Sequence, residues 1–128
     1  MSRRIIQNDQ MPRPVGPYSH AVVSNGFVFT SGQLPVVPES SKIVAIDFEG
    51  QLRQVLDNLK TVLESSGSDL SKVVKLTVFL IDLNNFTTLN QVFMEYFPKE
   101  PASRSAVQVS RLPLNSLVEI EAIATLEN

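Results

Sequence analysis

Residues 54–86 read QVLDNLKTVLESSGSDLSKVVKLTVFLIDLNNF, and the change of period inside this stretch decides the fold. Leu52, Val55, Leu56, Leu59, Val62 and Leu63 recur at helical spacing, which predicts an amphipathic helix of roughly five turns stopped by Gly67. Residues 68–72 then make a turn. Residues 73–81, VVKLTVFLI, are β-branched and almost wholly apolar, as in a central strand buried on both faces.

Upstream, NDQMPRPVGPY (8–18) carries three prolines and a glycine, which predicts a rigid extended loop. Asn25-Gly26 between two apolar runs predicts a tight hairpin joining strands near 19–24 and 27–33. VVPESSKI reads as a polar loop. Downstream, Asp82 is placed to cap a second helix with Phe86, Leu89, Phe93, Tyr96 and Phe97 as its apolar stripe, ended by Pro98. At that period these aromatics read as core rather than as a cofactor box. A short strand from Arg104 to Val109, a turn at Leu112-Pro113 and a last strand over 117–125 complete the chain.

The order β-β-α-β-α-β-β, with room for a short strand at the N-terminus, predicts an α+β sandwich: one sheet with both helices on one face, in a single domain over residues 1–128. In the last strand Val118, Ile120, Ala122 and Ala124 point to the helices, whereas Leu117, Glu119, Glu121 and Ile123 point away. Strand 73–81 is apolar on both faces, so the second face needs a cover. Another copy of the chain is the expected one.

Composition narrows the function. With 43% hydrophobic and 19% charged residues the 128-residue chain has a globular balance. Its net charge of −2, 11 Lys plus Arg against 13 Asp plus Glu, argues against a dedicated nucleic-acid binder. No apolar run is long enough for a bilayer, and no signal-peptide core follows MSRR. Zero cysteines exclude disulfides, thiolate metal sites and a Cys nucleophile, and a cytoplasmic location is expected. His20 is the one histidine, which excludes a multi-His metal site; it reads as a packed or hydrogen-bonded sheet residue rather than a general base. Dinucleotide, P-loop, zinc-protease and hydrolase-elbow motifs are all absent.

Arg104 is the sharper candidate. A guanidinium at the start of a strand, preceded by small residues, offers a bidentate fork to a carboxylate. Its residue types alone favour a structural ion pair with Glu119 or Glu121 of the final strand, taken as its neighbour. Tyr18, at the end of the proline loop, is either a ring wall for a small ligand or a surface aromatic.

Four stretches together are more specific: GPYSHA at 16–21, FVFTSGQLPV at 27–36, RSAVQVSRLP at 104–113 and EIEAIA at 119–124. In order and spacing they resemble the RidA family, the reactive intermediate deaminases also called YjgF or L-PSP proteins, and the likeness covers nearly the whole chain. The resemblance implies a chorismate-mutase-like sandwich with a mostly antiparallel mixed sheet, assembled as a homotrimer whose sheets form an inner barrel. It implies clefts between subunits in which 2-enamine or 2-imine acids, such as 2-aminoacrylate and 2-iminobutanoate, become 2-oxo acids and ammonia without metal or organic cofactor.

Carried onto this chain, the carboxylate-binding Arg is Arg104 and the water-positioning Glu is Glu119. Tyr18 supplies the aromatic wall, Gly32 and Asn90 border the cleft, and the backbone near Ser105 and Ala106 adds polarisation. This chain departs from the family in placing Ser103 between Pro101-Ala102 and Arg104, and Ala106 where Cys is frequent. Members have also been described as endoribonucleases or translation inhibitors, which the acidic composition argues against. A non-catalytic carboxylate-binding or chaperone-like trimer is the remaining alternative.

Overall fold

A computed structural model of the chain describes residues 3–126. The helix of the opening stretch, α1 (Phe48–Ser65), begins a turn before its apolar stripe because the Asp47 carboxylate accepts a hydrogen bond from the Gly50 N–H. It ends in a Schellman motif: Ser68 N–H donates to Leu63 O (2.9 Å), Gly67 N–H donates to Glu64 O (3.1 Å), and Gly67 takes φ +92°. Leu52, Val55, Leu56, Leu59, Val62 and Leu63 are fully buried, each worth roughly 1.5–3 kcal/mol of apolar transfer.

The sheet has six strands: β1 (Arg4–Ile6), β2 (Ala21–Ser24), β3 (Phe27–Thr30), β6 (Val73–Leu80), β7 (Ser103–Gln108) and β8 (Val118–Thr125). Their spatial order is β1-β2-β3-β8-β6-β7, antiparallel except for the parallel pair β6–β7 that α2 (Phe86–Tyr96) connects. The hairpin turn at Asn25 (φ 53°) and Gly26 (φ 78°) has the left-handed pair that matches strand twist. Both helices pack on the face presenting Val28, Leu76, Val78, Ile120, Ala122 and Ala124.

Three expectations need correcting. Residues 36–43 are not simply a polar loop, since β4 (Val36–Val37) and β5 (Lys42–Ile43) pair as a small hairpin. There Asn58 of α1 donates to Leu34 O and Val36 O at 3.0 and 2.8 Å, which ties the segment to the core. Asp82 caps a 3-10 turn (Leu83–Asn85) rather than the helix itself, accepting from Asn84 N–H at 2.9 Å. The chain runs from that turn into α2, whose own N-cap position, Asn85, makes no side-chain capping bond.

The third correction matters most. β7 is not beside β8, because β6 lies between them, so the ion pair of Arg104 with Glu119 or Glu121 does not form. The face away from the helices carries Phe27, Phe29 and Val107 exposed, beside Lys75, Thr77, Glu119 and Glu121. Among the described residues nothing covers it.

Candidate functional site

Alternation along β7 sets the direction of each candidate. Arg104 registers with Leu76 and Ala106 with Val78, so both face the helix layer, whereas Ser103 and Ser105 register with Lys75 and Thr77 and face away. Lys75 Nζ donates to Ser105 Oγ at 3.3 Å on that outer face. β7 is an edge strand, and Val109 N–H donates to Leu80 O of β6. Alternation from that bond directs the Arg104 and Ala106 amides to the open edge.

The Arg104 guanidinium is half-buried beneath α2. Nη2 donates to Asn90 Oδ1 at 2.9 Å, and Cζ lies 5.3 Å from the Phe86 ring centroid and 5.1 Å from that of Phe93. Phe86, Asn90 and Phe93 share one stripe of α2 at i, i+4 and i+7, so a single helical face holds the cation. Burial lowers its pKa from the ordinary value, yet a guanidinium stays charged at neutral pH. Among the described residues it makes no ion pair, so the site holds an uncompensated cation beside a cavity of about 290 Å³ lined by Leu76, Phe93, Met94 and Ala102. Phe93 is part of the core, as expected of the stripe, whereas Phe86 is exposed, and both rings serve Arg104 as well. Their 86/90/93 spacing with Asn90 was the available signal.

Glu119 lies on the opposite face of the sheet. β8 places it opposite Phe79, and a Cβ added to Gly32 would come within 1.9 Å of its Oε2, so only glycine leaves the carboxylate room. Burial first, and the Glu121 charge second, raise the Glu119 carboxyl above its ordinary value. No hydrogen bond or ion pair engages it among the described residues. Glu119, Gly32, Tyr18, Val15, Leu34 and Pro113 border an open groove of about 380 Å³.

A buried His20 organises that groove. It precedes β2 rather than lying within it, and its Nε2 donates to Pro12 O, an acceptor only, which places a proton on Nε2. Nδ1 then accepts from Gln33 Nε2 at 3.2 Å. Gln33 in turn exchanges backbone bonds with Ile120, the residue after Glu119, at 2.7 and 3.2 Å. The proline loop is closed further by Val15 N–H donating to Tyr18 Oη at 3.2 Å. The candidates therefore fall into two groups: Arg104 with Asn90 on one face, and Tyr18, Gly32 and Glu119 on the other. The Ala106 amide sits at the edge between faces, and the Ser105 side chain joins neither group.

The sequence profile of the family described as endoribonuclease L-PSP matches residues 8–126. The chain belongs to the endoribonuclease L-PSP family. Among L-PSP relatives it is 44% identical over 126 residues to Reactive Intermediate Deaminase A, chloroplastic, of Arabidopsis thaliana, covering 98% of this chain and 67% of that protein. The yeast protein YEO7 has a crystal structure of the same fold, with TM-score 0.94 and 39% identity over 98% of this chain and all of that one (100%). The crystal structure of Escherichia coli TdcF with bound serine matches with TM-score 0.87 and 41% identity, covering 95% of this chain and 98% of that one. The L-PSP fold thus agrees with the expected α+β sandwich. Among the described residues no helix is long and apolar enough to cross a membrane.

Proposed function

We propose that the chain hydrolyses reactive 2-enamine and 2-imine acids to 2-oxo acids and ammonia, in clefts that two copies complete, Arg104 coming from one and Glu119, Gly32 and Tyr18 from its neighbour. The observation that carries this reading is the Arg104 guanidinium: oriented by Asn90, flanked by two rings, and without a carboxylate partner among the described residues. The name of the Arabidopsis relative and the serine bound to TdcF, an α-amino carboxylate, support the same substrate class. A cyclic homotrimer would also cover the outer sheet face.

Arg104 binds the substrate carboxylate through charge-assisted hydrogen bonds and so fixes the adjacent C=N carbon. The Ala106 amide at the open edge is a second donor to the substrate. Glu119, whose carboxyl burial raises above its ordinary value and so makes a better base, accepts a proton from water as the oxygen adds to the C=N carbon. Glu119 returns that proton to the imine nitrogen, giving a carbinolamine; the hydroxyl proton then passes through Glu119 to the amine, the C–N bond breaks, and ammonia leaves as the C=O forms. One positioned acid–base group supplies about 10²–10⁴-fold, enough for a substrate that already hydrolyses unaided. Tyr18 closes the groove.

The test is coupled release of ammonia and 2-oxobutanoate from freshly generated 2-iminobutanoate. Acceleration in wild type and its loss in Arg104→Ala are expected. Saturable 2-oxobutanoate binding without ammonia release would indicate a non-catalytic carboxylate binder. The family's endoribonuclease name supplies the other reading: RNA cleavage by highly purified protein that disappears in Arg104→Ala would favour it.

A further inference from the structure

The cavity beside Arg104 is larger than a carboxylate clamp needs. It holds about 290 Å³, close to the lower end of small-molecule pockets at roughly 300 Å³, whereas one water occupies about 30 Å³. Arg104 and Asn90 supply its polar wall. The rest is apolar: Leu76, Phe93, Met94, Phe97, Pro101 and Ala102. Met94 at its mouth is exposed, and its thioether chain can adjust to ligand shape. A carboxylate on Arg104 therefore sits where the adjoining carbons can enter an apolar space between α2 and the start of β7.

We propose that this cavity is a side-chain pocket, and that the site prefers 2-imino acids with apolar side chains of roughly four heavy atoms, the size of the leucine- and methionine-derived imines. The proposal rests on the imine-deaminase reading and narrows it. A methyl or ethyl side chain leaves water against apolar walls, and each further methylene that displaces it is worth about fourfold in kcat/KM, which is ~0.8 kcal/mol. Ala102 is the gate: it packs partly against the core, and a larger residue there fills the pocket.

The experiment generates imines in place, using an amino-acid oxidase with catalase, from alanine, 2-aminobutyrate, norvaline, leucine and methionine, and follows 2-oxo acid release. A rise of about fourfold in kcat/KM per methylene up to the leucine imine is expected. Ala102→Phe should bring the leucine-to-alanine ratio close to one, and Met94→Ala, at an exposed position that tolerates change, should lower it. A flat series, or an Ala102→Phe loss equal for every imine, overturns the proposal. Calorimetry with 2-oxobutanoate and 4-methyl-2-oxopentanoate separates the two readings if no imine is turned over: tighter binding of the longer acid upholds the pocket while the deaminase reading falls, and equal binding removes the pocket as well.

Discussion

Arg104 and Glu119 project from opposite faces of one sheet, on strands that β6 separates. No rotamer change brings them together within a chain, so a site using both must be shared between copies. Arg104→Ala and Glu119→Gln should each be inactive alone. Mixed subunits should recover about one quarter of wild-type activity per protomer, the random share of intact clefts in a cyclic trimer. The check is deaminase activity after co-refolding the two variants; no recovery in assembled hetero-oligomers would place both groups in separate functions.

Arg104→Lys keeps the charge but loses the planar fork and its stacking between Phe86 and Phe93. A fall of roughly 10²-fold in kcat/KM is expected from lost orientation, with no change in oligomer size. Steady-state kinetics and light scattering together test this.

The raised Glu119 carboxyl has two consequences. As the group that must be deprotonated to accept a proton, it should give kcat an acidic limb above the ordinary carboxylate range. A carboxyl with a raised folded-state pKa contributes stability below its unfolded pKa and loses it as pH rises through the folded value. Glu119→Gln should therefore raise Tm at neutral pH while lowering kcat. A pH–rate profile and melts at pH 4 and pH 7 separate the two effects.

Gly32→Ala puts a methyl where Oε2 of Glu119 now lies. The carboxylate is the far end of a flexible side chain, so it swings aside and the fold survives. The expected outcome is a loss of activity approaching that of Glu119→Gln with Tm shifted by only a few degrees, read by kinetics beside calorimetry.

His20→Ala leaves Pro12 O without its donor in a buried place, costing about 1–3 kcal/mol, while Gln33 Nε2 keeps its bond to Ser31 O. Tyr18 rides on the loop that His20 ties down, so KM should rise more than kcat falls. Denaturant melts and steady-state kinetics check the two halves of this prediction.

Much of the fold was legible because its signals are local. The leucine and valine spacing of α1, Gly67, Asn25-Gly26 and the alternation of Val118, Ile120, Ala122 and Ala124 each act over a few residues. The four family-like stretches contain every candidate site residue except Asn90. The β4–β5 hairpin escaped because two-residue strands carry no period, and what holds them is Asn58, distant in sequence. Phe93 is core as its place in the stripe implies, but Phe86 is exposed and both rings also flank Arg104, because a helical stripe shows which residues share a face, not what they meet.

The sequence by itself determined the two helices and the strands of the main sheet, the face on which each side chain lies within its own strand, and the family. Only the tertiary structure decided that β6 lies between β7 and β8, that Arg104 rests under α2, and that Glu119 turns to the uncovered face against Gly32. Side-chain direction in a strand follows from a two-residue repeat, whereas strand order follows from how distant segments bury their apolar faces together.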